Sequence, residues 1–209
     1  MQMENSKDYA GFAEAFAFLG NSLMEPPLKT GGFSVDPSFW EDFPTFESAA
    51  VCGATASLVE YLERLASNVE FDPVTDVSVE FTRLFVGPPS PGAAPWETMY
   101  RGEGTRVGFG AATFEMRELM RESGLQVSGD SNQYEDHMGI ELLYLSVLCR
   151  KVADGEEIEF GQISDFVEAH PGAWIEKLSA QVAQSAPDGY YVRFLALCSV
   201  LLAALLDGC

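Results

Sequence analysis

Apolar residues along this chain recur at intervals of three and four in one segment after another, and this period narrows the possible folds more than any other property of the sequence. Phe12, Phe16, Leu19 and Leu23 are separated by four, three and four residues and so share one face of a helix. Leu58, Tyr61, Leu62 and Leu65 repeat the pattern within Ala49 to Leu65, and Val77, Phe81, Leu84 and Phe85 carry it on after Asp72-Pro73. Asp36-Pro37 and Asp72-Pro73 are start signals, because Asp accepts from the free N–H groups of a first turn and Pro fits the first helical position. Further helices are expected from Thr113 to Gly124, Asp130 to Ala153, Ile158 to Ala169, Ala173 to Ser185 and Gly189 to Leu206, punctuated by Gly155, Pro171 and Pro187-Asp188-Gly189. Asp130 and Gln133 have the spacing of a capping box. Sustained strand alternation is missing. The expectation is an all-α fold, a single compact helical domain over residues 1–209 with about nine helices and no internal repeat.

Composition decides which partners such a domain can have. With 47% apolar and 12% aromatic residues the chain has a real core. Its 12 Lys+Arg against 32 Asp+Glu leave a formal charge of -20, which repels phosphate backbones and anionic headgroups. Nucleic acid is therefore excluded as an expected partner. A basic ligand would be attracted, although plain solubility explains the same charge. The cysteines, Cys52, Cys149, Cys198 and Cys209, are scattered and form no C-x-x-C, which reads as reduced thiols in a cytosolic protein. The first residues, MQMENSKDYAGF, lack the basic and apolar regions of a secretory signal. Tyr190 to Leu206 is the most apolar segment but carries Arg193 and is short for a span, so a buried core helix is expected and no stable membrane insertion.

Little in the sequence points to catalysis. The segment Gly87 to Gly110 is dominated by Gly and Pro, the composition of a long functional loop, yet it matches neither G-x-G-x-x-G nor a P-loop. The two histidines, His137 and His170, stand outside any zinc-spaced motif. The densest polar group is Glu135, Asp136 and His137 with Glu141 and Tyr144 one and two turns on. On one helix His137, Glu141 and Tyr144 would share a face, open to acid–base work; the plainer reading is acids near a helix start and a histidine bonded locally. His170, followed by Pro171 and Trp174, reads as a structural helix corner, and Pro95-Trp96 as an aromatic anchor for the loop.

Three segments in order resemble one family. Leu84-Phe85-Val86-Gly87-Pro88 followed by Ala94-Pro95-Trp96-Glu97-Thr98-Met99-Tyr100, then Tyr134-Glu135-Asp136-His137 with Glu141-Leu142, then Phe166, His170 and Trp174, are similar to the motifs of the TorD/DmsD/NarJ family of redox-enzyme maturation chaperones. Gln133-Tyr134 stands where that family has Glu-Pro, and Ala94-Pro95-Trp96 where it has Pro-Pro-Trp. The resemblance implies an all-helical cytoplasmic chaperone, not an enzyme. It implies binding of the twin-arginine signal peptide of a molybdopterin-dependent oxidoreductase of the DMSO/TMAO reductase type, and assistance in cofactor insertion before export. The implied peptide-binding residues are Trp96, Glu97, Tyr100, Glu135, Asp136, His137 and Glu141, with no catalytic residue, metal ligand or cofactor of its own. Carboxylates would pair with guanidinium groups and aromatics would take the apolar half of the peptide. The alternatives are a client that is not exported or is of nitrate-reductase type, recognised through another terminal segment, and a small metal- or phosphate-dependent enzyme built on Glu135, Asp136, His137 and Glu141. Either a monomer or a dimer swapped about the Gly/Pro loop fits the sequence.

Overall fold

The computed structural model describes residues 8–68, 70, 72–102, 108–127, 133–159 and 161–207; within them the backbone is mostly helical, without a strand and with one isolated antiparallel bridge, Trp96 to His137. Ten α-helices occur among the described residues: α1 Tyr9–Met24, α2 Pro27–Thr30, α3 Pro37–Glu41, α4 Ala49–Ala66, α5 Pro73–Phe81, α6 Ala111–Glu122, α7 Met138–Ala153, α8 Gln162–Ala169, α9 Pro171–Ser185 and α10 Tyr190–Leu206. The short α2 and α3 are single turns or little more. A π-helical turn, Thr82–Val86, prolongs α5, and 3-10 turns cover Phe33–Val35 and Glu97–Met99.

The start signals act as the sequence predicts. Asp36 accepts from the Ser38 N–H and Asp72 from the Thr75 N–H, each with Pro at the first helical position. α6 stops in a Schellman motif: Gly124, at φ 71°, donates to the Arg121 carbonyl while Leu125 donates to that of Met120. Phe12, Phe16, Leu19 and Leu23 are all buried, as are Leu58 and Leu62 of α4. α10 is apolar on nearly every side and lies inside, against α4, α9 and α5; no helix among the described residues is long and apolar enough to cross a membrane. Cys149 and Cys198 are free and buried, Cys52 is free and exposed, and Cys209 lies outside the described residues.

α1 and α7 pack antiparallel along their length. Their crossing is set by two glycines, since a Cβ on Gly20 would stand 2.7 Å from the Gly139 carbonyl oxygen and one on Gly139 would stand 2.8 Å from that of Gly20. Further along, Ser146 Oγ donates to the Ala13 carbonyl at 2.7 Å. Ser34, in the first 3-10 turn, presents one carbonyl to two buried donors, Trp40 Nε1–H and Tyr190 O–H, both at 2.8 Å. Each of those side chains buries a large apolar surface, worth roughly 2–3 kcal/mol, without leaving its polar atom unpaired.

Two helix starts lie well away from expectation. α7 starts at Met138, not near Asp130, which lies outside the described residues together with 128–132. The reason is nonlocal: the bridge to Trp96 holds His137 extended, at φ -75° and ψ 132°, so Tyr134 to Asp136 cannot be helical. α8 begins at Gln162 rather than Ile158, after Gly161 at φ 81°. Phe114 of α6 is 55% exposed, because Ala112, Thr113, Met116 and Met120 form the inner face.

Candidate functional site

The Gly/Pro-rich segment is held to the start of α7 through main-chain bonds. Glu97 N–H donates to the Asp136 carbonyl and Met138 N–H to that of Pro95, both at 2.9 Å. Asp136 is buried and both of its oxygens are used: Oδ2 accepts from the Thr98 N–H at 2.9 Å and Oδ1 from the Thr113 hydroxyl at 3.0 Å. Thr113 Oγ1 in turn accepts from the Gly110 N–H at 3.1 Å, so one carboxylate ties together the 3-10 turn, the start of α6 and the approach to α7. His137 caps α7, its Nδ1 accepting from the Gly139 N–H at 3.0 Å. Burial without a counter-charge lowers its pKa to about 3, so the imidazole is neutral.

Below this layer the first turn of α7, the 3-10 turn and the corner between α8 and α9 bring Glu97, Glu141 and His170 together, with ligand atoms within 4.8 Å of one another. All three are buried. His170 Nδ1–H donates to Glu97 Oε2 at 2.9 Å, and Trp174 Nε1–H to Glu141 Oε2 at 2.9 Å. Burial, and then the neighbouring charge of Glu97, push Glu141 well above the ordinary carboxyl range, which favours its protonated form. The cluster's positive charge comes from Arg101, whose Nε–H donates to Glu97 Oε1 at 2.6 Å and which also pairs with the exposed Glu115. Two carboxylates and an imidazole make a ligand set for a cation, and a guanidinium already sits against it. Tyr100 covers the cluster from the side: its ring stacks on Trp174 at 5.1 Å, and its hydroxyl lies 2.8 Å from the Ala94 carbonyl oxygen and 2.6 Å from Gln181 Oε1.

The outer surface of the same region is aromatic. Trp96 donates from Nε1 to Gln133 at 3.2 Å and stands edge-on to Tyr134, with ring centres 6.1 Å apart. Phe109 joins Tyr134 at 5.3 Å and Phe114 at 5.0 Å. Phe109, Phe114 and Tyr134 are 39%, 55% and 39% exposed. The Arg117 guanidinium lies over both Phe rings and grips Glu135 through two bonds, 2.7 and 3.0 Å, which hold that carboxyl below its usual range. Gly108 lies against the Trp96 indole so closely that a Cβ there would come within 2.8 Å of the ring, a reason for glycine at that point in the segment. On the opposite flank of α6 a groove of about 480 Å³ runs between α6, α7 and α8, lined by Glu122, Glu159, Asp165, Lys151, Tyr144 and His170 among others.

Of the residues singled out in the sequence, Glu97, Asp136, His137 and Glu141 are inside, Tyr100 is at the edge, and Trp96 and Glu135 adjoin the aromatic surface. The joint face of His137, Glu141 and Tyr144 does not form, because His137 precedes the helix and the Tyr144 hydroxyl pairs with Ser123 at 3.0 Å. His170 and Trp174 are more than a corner, since both bond the buried carboxylates; their spacing after Phe166 was the signal. Arg101, Phe109 and Phe114 carried none.

Comparison with known proteins identifies the family. The family model described as nitrate reductase delta subunit matches residues 47–180, a span that contains Glu97, Asp136, His137, Glu141 and His170. The chain is 28% identical over 169 residues to the chaperone protein TorD of Vibrio parahaemolyticus, covering 77% of each chain. It is 28% identical over 162 residues to that of Vibrio atlanticus, covering 75% of this chain and 73% of the relative. Over 67 residues, 32% of each chain, it is 39% identical to the Tat proofreading chaperone DmsD of Salmonella typhi. The chain belongs to the TorD/DmsD/NarJ family of redox-enzyme maturation chaperones.

Proposed function

We propose that this protein binds the twin-arginine signal peptide of a molybdopterin-dependent oxidoreductase precursor in the cytoplasm, holding the precursor during cofactor insertion and before export, and that it catalyses no reaction. The observation that carries the reading is the exposed surface of Phe109, Phe114 and Tyr134 beside Trp96, on a chain of charge -20. Exposed aromatic rings in contact with one another suit the apolar half of a signal peptide, and the acidic charge of the chain as a whole suits its basic half. Trp96 and Glu135 would touch the peptide. Asp136 and His137 act through the loop that they hold, while Glu97, Glu141 and Tyr100 form the floor beneath it. The relatives named TorD and DmsD, the latter a Tat proofreading chaperone, support a client of this kind.

The test is calorimetric titration with a peptide carrying paired arginines followed by an apolar stretch, beside the same peptide with both arginines changed to alanine. Binding of the first alone is the expected result, weakening as salt is raised. Equal binding of both would move the reading to a client recognised through another terminal segment. Binding of neither would reject this function.

A further inference from the structure

The buried carboxylates already hold a guanidinium, and it belongs to the chain itself. Arg101 donates to Glu97 Oε1 at 2.6 Å, reaches Glu115, and donates from Nη2 to the Ala169 carbonyl at 3.3 Å. Its side chain is nevertheless 33% exposed, whereas that of Glu97 has no exposed surface. Arg101 also stands beyond the 3-10 turn, outside any helix and directly before Gly102. A guest is thus held at the mouth of a fixed pocket.

Two observations separate this pocket from an ordinary ion pair. Glu141 Oε1 is fully buried in the cluster around Glu97 and is engaged neither by Arg101 nor by Trp174, so the pocket holds a polar atom that the internal ion pair does not use. The lining of the acidic groove also includes Ala169 and His170, two of the residues beside the Arg101 guanidinium, and Glu122, Glu159 and Asp165 outnumber Lys151 along it. A cation drawn along that groove arrives where Arg101 sits.

The geometry points to Arg101 as an internal stand-in for an arginine of the client: Glu97, with Glu141 behind it, is a guanidinium-binding subsite, and a peptide arginine enters from the acidic groove by displacing Arg101 outward. The identity of that ligand rests on the proposed function; the subsite itself does not. Exchanging one guanidinium for another keeps Glu97 paired, which avoids the heavy penalty of a lone buried charge. It also selects arginine over lysine, because a planar fork can satisfy two acceptors at once and an ammonium cannot do so in the same geometry.

The experiment uses the full chain as wild type, Arg101→Ala and Arg101→Gln. Melting is followed with Nα-acetyl-L-arginine methylamide, and with the lysine analogue at the same ionic strength. The arginine compound is expected to raise the melting temperature of the variants saturably and that of wild type less, while the lysine analogue has no such effect. The paired-arginine peptide is expected to bind the variants about tenfold tighter, the factor expected if the pocket is free in about a tenth of wild-type molecules. Identical responses of wild type and variants, or stabilisation of the variants by Zn²⁺ in place of the arginine compound, would overturn the inference. If neither variant folds, the Arg101 Nε–H of wild type supplies the readout by ¹⁵N NMR: its signal should move on saturation with the peptide, and an unmoved signal refutes displacement. Should the arginine compound stabilise the variants while no signal peptide binds, the subsite stands and the chaperone reading fails. Should the peptide bind wild type and variants equally, the reverse holds.

Discussion

Replacing Glu141 with glutamine should stabilise this protein, by an amount that grows with pH. Glu141 is fully buried, and burial together with the charge of Glu97 raises its pKa well above the ordinary 4.5. A raised folded-state value means that the folded protein binds a proton which the unfolded chain releases. Stability from this group is therefore complete below pH 4.5 and is lost as pH rises toward the folded pKa. The loss is about 1.4 kcal/mol per pH unit while the folded group stays protonated. Glutamine copies the protonated acid, since its carbonyl can accept from Trp174 Nε1–H and its amide can donate toward Glu97. Urea unfolding of both proteins at pH 5 and pH 6 should show the variant's advantage widening by about 1.4 kcal/mol between the two. Comparing isosteres matters because His137 titrates in the opposite sense and flattens the wild-type curve where both groups act. A gap that stays constant, or that narrows as pH rises, would mean that Glu141 is ionised in the folded state and would refute the reasoning.

His137→Asn keeps a cap for Gly139 and removes the titration. Since the folded pKa is depressed to about 3, wild type should lose about 1.4 kcal/mol per pH unit relative to the variant as pH falls below about 6.5, measured by the same unfolding series. Asp136→Ala strips the partners from the Thr98 N–H and the Thr113 hydroxyl, and should cost about 2–4 kcal/mol in urea unfolding while the far-ultraviolet spectrum stays helical; a loss below about 1 kcal/mol would mean that water replaces both bonds. Gly139→Ala forces a Cβ against the Gly20 carbonyl and should lower stability by about 1–3 kcal/mol; unchanged melting would show that α1 and α7 can move apart freely. Phe109→Ser with Phe114→Ser should weaken signal-peptide binding about tenfold or more without lowering stability, and unchanged affinity would remove the aromatic surface from the binding reading.

Where a structural decision depends on neighbours in the chain, the sequence displayed it. Asp36-Pro37, Asp72-Pro73 and Gly124 mark helix ends because capping is completed within a few residues, and the spacing of Phe12, Phe16, Leu19 and Leu23 describes one helix face whatever that face meets. The start of α7 was misread because it is decided 40 residues upstream, where Trp96 and Pro95 offer a backbone partner that a helix beginning near Asp130 would have to give up. Nothing in their local sequence marks Glu97 and Glu141 as buried, and their burial follows from the α8–α9 corner that brings His170 and Trp174 over them. Phe114 shows the converse case, an apolar residue at helical spacing that remains outside because smaller neighbours fill the core face.

The first two N–H groups of α10, those of Tyr190 and Tyr191, donate at 3.1 and 3.0 Å to Glu80, a residue of α5 more than a hundred positions earlier. The helix at the centre of the core is thus capped by a distant carboxylate, since Gly189 has no side chain with which to do it. The C-terminal segment consequently holds its full structure only once α5 has reached it. A peptide corresponding to α10 alone would fray at its start, and Glu80→Ala, though made in another helix, should speed amide exchange at Tyr190 and Tyr191 before it affects the end of α10.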